Sequence, residues 1–317
     1  MTRYLVTGGA GFIGSHLVEH LVAQAGSEVR VLDNFATGKR ENLAPWLDRV
    51  ELVEGSVVDL DLCRRACDGV RFVLHQAAVP SVPRSVAEPM VTHEANVTGT
   101  LTMLLAARDA GVRRFVYASS SSVYGDGATL PKEESARPSP LSPYAVAKLA
   151  GEQYCRVFTS VFGLDTISLR YFNVFGPRQD PESPYAAAVP KFIAAALDGE
   201  SPVIFGDGSQ TRDFTYVADV VHANMLACRA PKEAAGAVVN VAGGAGIAVN
   251  DVWDVIRTRL GATVAARRLP PRAGEVRHSV ASLERARTVL GYEPAVGSRE
   301  GLRLTCEWHL AHRKQAV

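Results

Sequence analysis

Near the start of the chain, "VTGGAGFIGSHL" sets Gly8, Gly11 and Gly14 at three-residue intervals between a β-branched run and a helical stretch. Glycines at this spacing allow a tight turn and let an anionic group approach backbone N–H groups at a helix N-terminus, where the helix dipole favours negative charge. Such a loop constrains the fold because it functions only as the first βα turn of a βαβ unit.

The rest of the N-terminal half supplies those units. "YLVTG", "EVRVLDN", "VELVEGS", "FVLHQAA", "RFVYASS" and "DTISLRYFN" are short β-branched runs. They alternate with helical patterns from Gly14, from Asn96 to Ala110 and from Ser142. The alternation predicts an α/β fold, a Rossmann-type doubly wound parallel sheet with helices on both faces. After Asn173 the rhythm breaks. Residues 176–190 are proline-rich without periodicity, and shorter mixed elements follow, as expected of a smaller mixed C-terminal substrate lobe. The boundary is set near 175, giving units 1–175 and 176–317. The later "VVNVAGG" has the look of another buried strand, so the two are expected to be partly interleaved.

Asp33 ends the second predicted strand, about 20 residues beyond Gly14, where a carboxylate holds the adenosine ribose of a dinucleotide. It would repel a 2′-phosphate, which favours NAD over NADP. Lys39 and Arg40 lie close by and are read as a solvated charged turn.

Of the 317 residues, 47% are hydrophobic and 21% charged, and the formal net charge is +1. Nothing in that balance suggests a nucleic-acid or membrane-surface partner, so a small molecule is the default ligand. Five scattered cysteines without a CxxC pair imply neither zinc nor disulfides and suit reduced thiols in a cytoplasmic protein. The N-terminal glycines interrupt any signal-peptide core, and no segment reaches the ~20 apolar residues of a membrane span.

In "SPYAVAKLAGEQY", Ser142 is a good N-cap and Pro143 suits the first turn. Tyr144 and Lys148 fall one turn apart on one face. A serine cluster, "YASSSSVYGD", ends a predicted strand 24 residues earlier, counting from Ser120. Ligands gather at the carboxyl ends of parallel strands, which would bring Ser120, Tyr144 and the glycine loop to one cleft. A phenol ionises near pH ~10, and an ammonium one turn away favours its anion, so the expectation is a tuned base and its tuner.

Together these stretches resemble the extended short-chain dehydrogenase/reductase family, and within it the nucleotide-sugar 4-epimerases. The resemblance runs nearly end to end through "TGGAGFIGSHL", "HQAAVPSVPRS", "ANVTGTL", "YASSSSVYGD", "SPYAVAKLAGE", "LRYFNVFGPRQDP", "GDGSQTRDFTYVADV" and "RAGEVRHSVAS". It implies Tyr144 as catalytic base, Lys148 as tuner and cofactor-ribose contact, and Ser120 as hydroxyl partner of the sugar oxygen. Asn96 would orient the Tyr–Lys pair or its water. To NAD it assigns Phe12 and Ile13 of the glycine loop, Asn34, Thr37 and Gly38 after the second strand, and Ser56 and Val57 after the third. Gln76, Ala77, Ala78 and Phe172 complete that set. To the nucleotide sugar it assigns Ser81, Ser121, Asn173, Ala187, Arg212, Arg272, Glu275 and Ser279. Arg212 and Arg272 would clamp the diphosphate, and Glu275 the nucleotide ribose. Ser279, a small residue beside the sugar's 2-substituent, implies acceptance of UDP-N-acetylglucosamine as well as UDP-glucose. One departure touches adenine: where many relatives have an aspartate, Ser56 stands, and the carboxylate comes later at Asp59.

The implied reaction removes the 4-hydroxyl proton, forms a transient 4-ketose by hydride loss to NAD, and returns the hydride to the opposite face. Related dehydratases and decarboxylases carry carboxylates where this chain has Ser121 and Ser122. A UDP-glucuronate 4-epimerase, with Arg84 as carboxylate partner, and a catalytically silent NAD-binding sensor are the alternatives. The family also implies a homodimer through the helices 96–110 and 142–162, with Gly151, Cys155, Phe158 and Phe162 as candidate interface residues and core packing as the competing role.

Overall fold

The computed structural model describes residues 1–126, 129–182, 187–270 and 277–313. Six strands follow the predicted pattern, joined by helices except between the second and third, where only short 3-10 turns intervene: β1 (Thr2–Thr7), β2 (Ser27–Asp33), β3 (Val50–Glu54), β4 (Phe72–His75), β5 (Arg114–Ser120) and β6 (Asp165–Tyr171). A seventh, β7 (Ala237–Val241), returns from the C-terminal half to pair with β6. All neighbours in the sheet are parallel, in the order β7-β6-β5-β4-β1-β2-β3. This is the doubly wound order with one strand added.

Both faces of the sheet are covered, which is why its strands are nearly continuous apolar runs. Successive residues serve opposite faces. Tyr4 and Val6 of β1 join one core cluster, while Leu5 joins the other. On the first face lie α1 (Phe12–Ala23) and α5 (Val217–Arg229), and on the second lie α2 (Leu60–Cys67), α3 (Gly99–Asp109) and α4 (Pro143–Phe162). The smaller lobe has its own core, where Phe175, Phe192, Ile193, Trp253 and Leu302 pack together between helices Ala188–Asp198, Val249–Leu260 and Ser298–Arg313.

The order reverses between β1 and β4, so the crevice outside their carboxyl ends is the place for a ligand. α4 is anchored beside it as its sequence dictates: Ser142 Oγ accepts from the Ala145 N–H at 3.2 Å, Pro143 occupies the first turn, and Gly163, at φ 71°, closes the helix in the left-handed region. Two helix starts differ from the sequence pattern. α1 begins at Phe12 with Gly11 as its N-cap, and α3 is preceded by a π-helical turn, Glu94–Thr98.

Candidate active site

The last residue of β5 and the first turn of α4 meet at the crevice. The Ser120 hydroxyl lies close enough to the Tyr144 phenol to favour its ionised form. The Ser120 oxygen accepts from the Ser122 hydroxyl at 2.9 Å and the Ser122 N–H at 3.2 Å, so its position is fixed by its own 3-10 turn, Ser121–Tyr124. Burial pushes the phenol above its ordinary pKa, and the Ser120 hydroxyl pulls it partly back. Lys148 Nζ donates to the Ala118 carbonyl at 2.8 Å and lies 5.8 Å from the centre of the Tyr144 ring. Burial lowers this ammonium to about 8. Lys148 is thus held by the strand as a cation beside the phenol, and the Ser120 hydroxyl also acts to lower it.

At the mouth of β1, Gly8 has φ 67°, and a Cβ there would stand 2.7 Å from the Ala77 nitrogen, so the loops after β1 and β4 can close only on glycine. Gly14 is equally constrained: its Cβ would meet the Gly8 oxygen at 2.0 Å. Asp33 braces the loop, its Oδ2 accepting from the Ala10 N–H and its Oδ1 from the Phe35 N–H, both at 2.8 Å.

A family model described as the NAD dependent epimerase/dehydratase family matches residues 4–242. The UDP-glucose 4-epimerase of Mycolicibacterium smegmatis is 41% identical over 310 residues, 96% of this chain and 98% of that protein. Among solved structures, the Thermotoga maritima UDP-glucose 4-epimerase with UDP-glucose superimposes with a TM-score of 0.93 at 38% identity, covering 100% of both chains. The UDP-N-acetylglucosamine 4-epimerase of Methanobrevibacter ruminantium in complex with UDP-N-acetylmuramic acid gives a TM-score of 0.92 at 38% identity, covering 98% and 99%. The chain belongs to the NAD-dependent epimerase/dehydratase family. Within that family it stands with the UDP-hexose 4-epimerases of the extended short-chain dehydrogenase/reductase type.

The chain's own residues fit the family's cofactor. No side chain caps α1 and its first turn has no acidic residue, so the N–H groups at Phe12 and Ile13 face the crevice end without a competing anion. The two N–H bonds to Asp33 leave lone pairs for ribose hydroxyls. Gly38 packs on Ala10, and Asn42, which sequence reasoning missed, donates to the Ala10 carbonyl at 2.9 Å. Asn34 and Thr37 are exposed, Asn34 accepting from the Ala36 N–H. Lys39 pairs with Asp180 at 3.1 Å; Arg40 pairs with Glu54 at 2.6 Å and covers the Phe35 ring. Both cations being neutralised, neither is committed to a 2′-phosphate.

Beyond β3, Ser56 accepts from the Val58 N–H, and Val57 is buried under Gly99. Asp59 caps α2 by accepting from the Leu62 N–H at 2.9 Å, so helix capping claims the late carboxylate. After β4, Gln76 Nε2 donates to Tyr171 Oη at 3.2 Å and Asn224 Oδ1 at 3.3 Å, a network invisible in the local pattern. Ala77 N–H donates to Thr7 Oγ1, Ala78 follows it half-buried, and Ser81 caps the short helix Val82–Ala87. The Asn96 side chain holds the Val79 backbone on both sides, Oδ1 accepting at 2.7 Å and Nδ2 donating at 3.1 Å, so it shapes the β4 loop. The π-helical turn is what aims it inward.

On the lobe side, Arg212 and Ser279 are direct partners in a parallel ladder, and Arg212 Nη1 donates to the carbonyls of Thr211 and Arg277. Asn173, at φ 30°, donates to the Asp213 carbonyl at 3.0 Å, while Phe172 before it is fully buried. Asp213 is a second residue that sequence reasoning missed. Burial raises its carboxyl to about 6, yet it accepts from the Gly244 and Ala281 N–H groups at 3.1 Å and so fixes the segment carrying Ser279. Ala187 is exposed at the head of its helix, and Ser121 is half-buried. Arg272 and Glu275 lie outside the described residues.

Proposed function

We propose that this family member inverts carbon 4 of UDP-hexoses, interconverting the N-acetylglucosamine and N-acetylgalactosamine forms and also the glucose and galactose forms. The observation that carries the reading is that the end of β5, with Ser120, and the first turn of α4, with Tyr144 beside Lys148, pack together at the cofactor crevice. Tyr144 removes the 4-hydroxyl proton, Ser120 holds the sugar oxygen and steadies the phenolate, and Lys148 keeps a cation beside the pair. NAD, when bound, supplies reversible hydride acceptance at carbon 4. Residues 1–175 serve the dinucleotide and 176–317 the nucleotide sugar, with α5 and β7 returning to the sheet.

Elimination of water would need a carboxyl proton carrier next to Ser120, and the following turn offers only hydroxyls there, Ser121 and Ser122. The uronate alternative would need Arg84 to leave its pairing with Glu88, at 2.9 Å, for a sugar carboxylate. The five buried free thiols suit a reducing cytosol.

Removing only the phenol oxygen tests the reading. Tyr144→Phe should lower kcat by about 10²- to 10⁴-fold with the fold and NAD content intact. Near-parental turnover with UDP-sugars would remove Tyr144 as the base.

A further inference from the structure

The inner face of α4 carries Tyr144, Lys148 and Glu152 at successive turns, and the mechanism uses only the first two. Glu152 is fully buried. Its Oε1 accepts from Ser119 Oγ at 2.5 Å and from Arg170 Nε at 2.8 Å, and its Oε2 accepts from Arg170 Nη2 at 2.7 Å. Arg170 stands opposite Ser119 in the β5–β6 ladder. Its guanidinium lies 4.6 Å from the centre of the Tyr124 ring, the residue that ends the turn after Ser120.

A pair this deep is a poor choice for stability, because desolvating both charges offsets most of their attraction and apolar residues of similar volume hold a helix as well. Further along α4, Cys155 and Phe158 hold the helix as members of the apolar core. What a two-pronged carboxylate–guanidinium contact adds is geometry, since it fixes both angle and translation where apolar contact tolerates sliding. The elements it locks together are those ending in the reacting groups. β5 runs from Ser119 into Ser120, β6 from Arg170 through Tyr171 to Phe172 and Asn173, and α4 bears Tyr144 two turns before Glu152.

We infer that Glu152 and Arg170 are positioning residues for the reaction: through Ser119 and Tyr124 they set the separation of Ser120 from Tyr144. The inference rests on the reading of Ser120 and Tyr144 as the reacting pair.

Ser119→Ala cuts the link to β5 and leaves the ion pair intact. It should lower kcat by about 10- to 100-fold, the scale of a small misplacement of reacting groups, with KM and melting temperature near parental. A displaced Ser120 favours the ionised phenol less, so the acid limb of the kcat–pH profile should also move to higher pH. The second variant replaces the pair together, Glu152→Leu with Arg170→Met. Its stability should stay close to parental while its kcat remains low. Parental kcat in Ser119→Ala, an unmoved acid limb, or a folded, NAD-loaded double variant with parental turnover would each overturn the inference. Tyr144→Phe, run in parallel, separates the two failures: if it stays active the reading of the reacting pair falls, and if it is dead while the other variants are parental, only the positioning role falls.

Discussion

At the scale of the residue, the site is a contest between burial and hydrogen bonding. Burial alone makes Tyr144 a worse base, and the hydroxyl of Ser120 opposes it. A base works deprotonated, so removing a group that lowers its pKa must move the acid limb of activity upward. Ser120→Ala should therefore lose more rate at pH 7 than at pH 9, measured as kcat on the NAD-loaded enzyme; an equal loss at every pH would mean that Ser120 does not tune the phenol. Ser279 raises a question of volume. It is buried beside Arg212, and a close-packed wall tolerates little added bulk. Ser279→Tyr should abolish turnover of the N-acetylated sugars while UDP-glucose turnover stays within about tenfold of parental, the difference a steric clash produces in a packed site. Equal loss with both sugars would remove Ser279 as the selector. Residues whose role is local were legible in the sequence, such as the Ser142 cap and the glycines of the first turn. Those whose partners are distant in the chain were not. Asn96 binds the Val79 backbone, Asp59 caps a helix, and Lys148 reaches a carbonyl 30 positions back, contacts that no local pattern announces. Glu152 looked like one more polar residue in a helix because its partners Ser119 and Arg170 lie on two other strands.

At the scale of the element, the alternation of strands and helices was readable because a parallel sheet covered on both faces demands apolar runs separated by amphipathic ones. The proline-rich stretch after Asn173 was opaque because its structure comes from contacts far along the chain. Residues 177–180 lie as a strap against the cofactor side of the fold. His16 Nε2 donates to the Pro177 carbonyl at 2.9 Å, Arg178 pairs with Glu19 at 2.6 Å and sits over the Trp46 ring, and Asp180 meets Lys39. Three of those partners follow the glycine loop or β2 closely in sequence, and Arg178 accepts φ 65° to make its contacts. Arg178→Ala should speed release of bound NAD by roughly 3- to 10-fold, the effect of one partly exposed ion pair. The rate is read by dilution of the loaded protein followed by assay of free nucleotide. An unchanged rate would show that the strap does not hold the cofactor side closed.

At the scale of the whole molecule, the two sides of α4 set different tasks. Its inner side holds the reacting groups and the core: Gly151 abuts the Tyr117 hydroxyl, where a Cβ would come within 2.2 Å, and Cys155 and Phe158 are buried. These three therefore belong to the core and drop out as interface residues. The outer side is unexpectedly apolar, with Val146, Val157, Val161 and Phe162 at 53%, 45%, 67% and 46% exposure. Helices Val82–Ala87 and Pro89–His93 pack against α4 and add the exposed Val86 and Met90. Exposed apolar residues on three adjoining helices are the feature expected of an association site, and the partner expected for them is a second copy of this chain. The protein should therefore run as a dimer by light scattering at micromolar concentration, and Val157→Asp with Val161→Asp should convert it to monomer, since a buried carboxylate at a two-fold contact faces its own copy. Because the helix that would form the contact also carries Tyr144, the monomer should lose turnover as well as mass, with NAD still bound. A parental protein that is monomeric at that concentration would leave the apolar side of α4 without its partner and rule out the dimer.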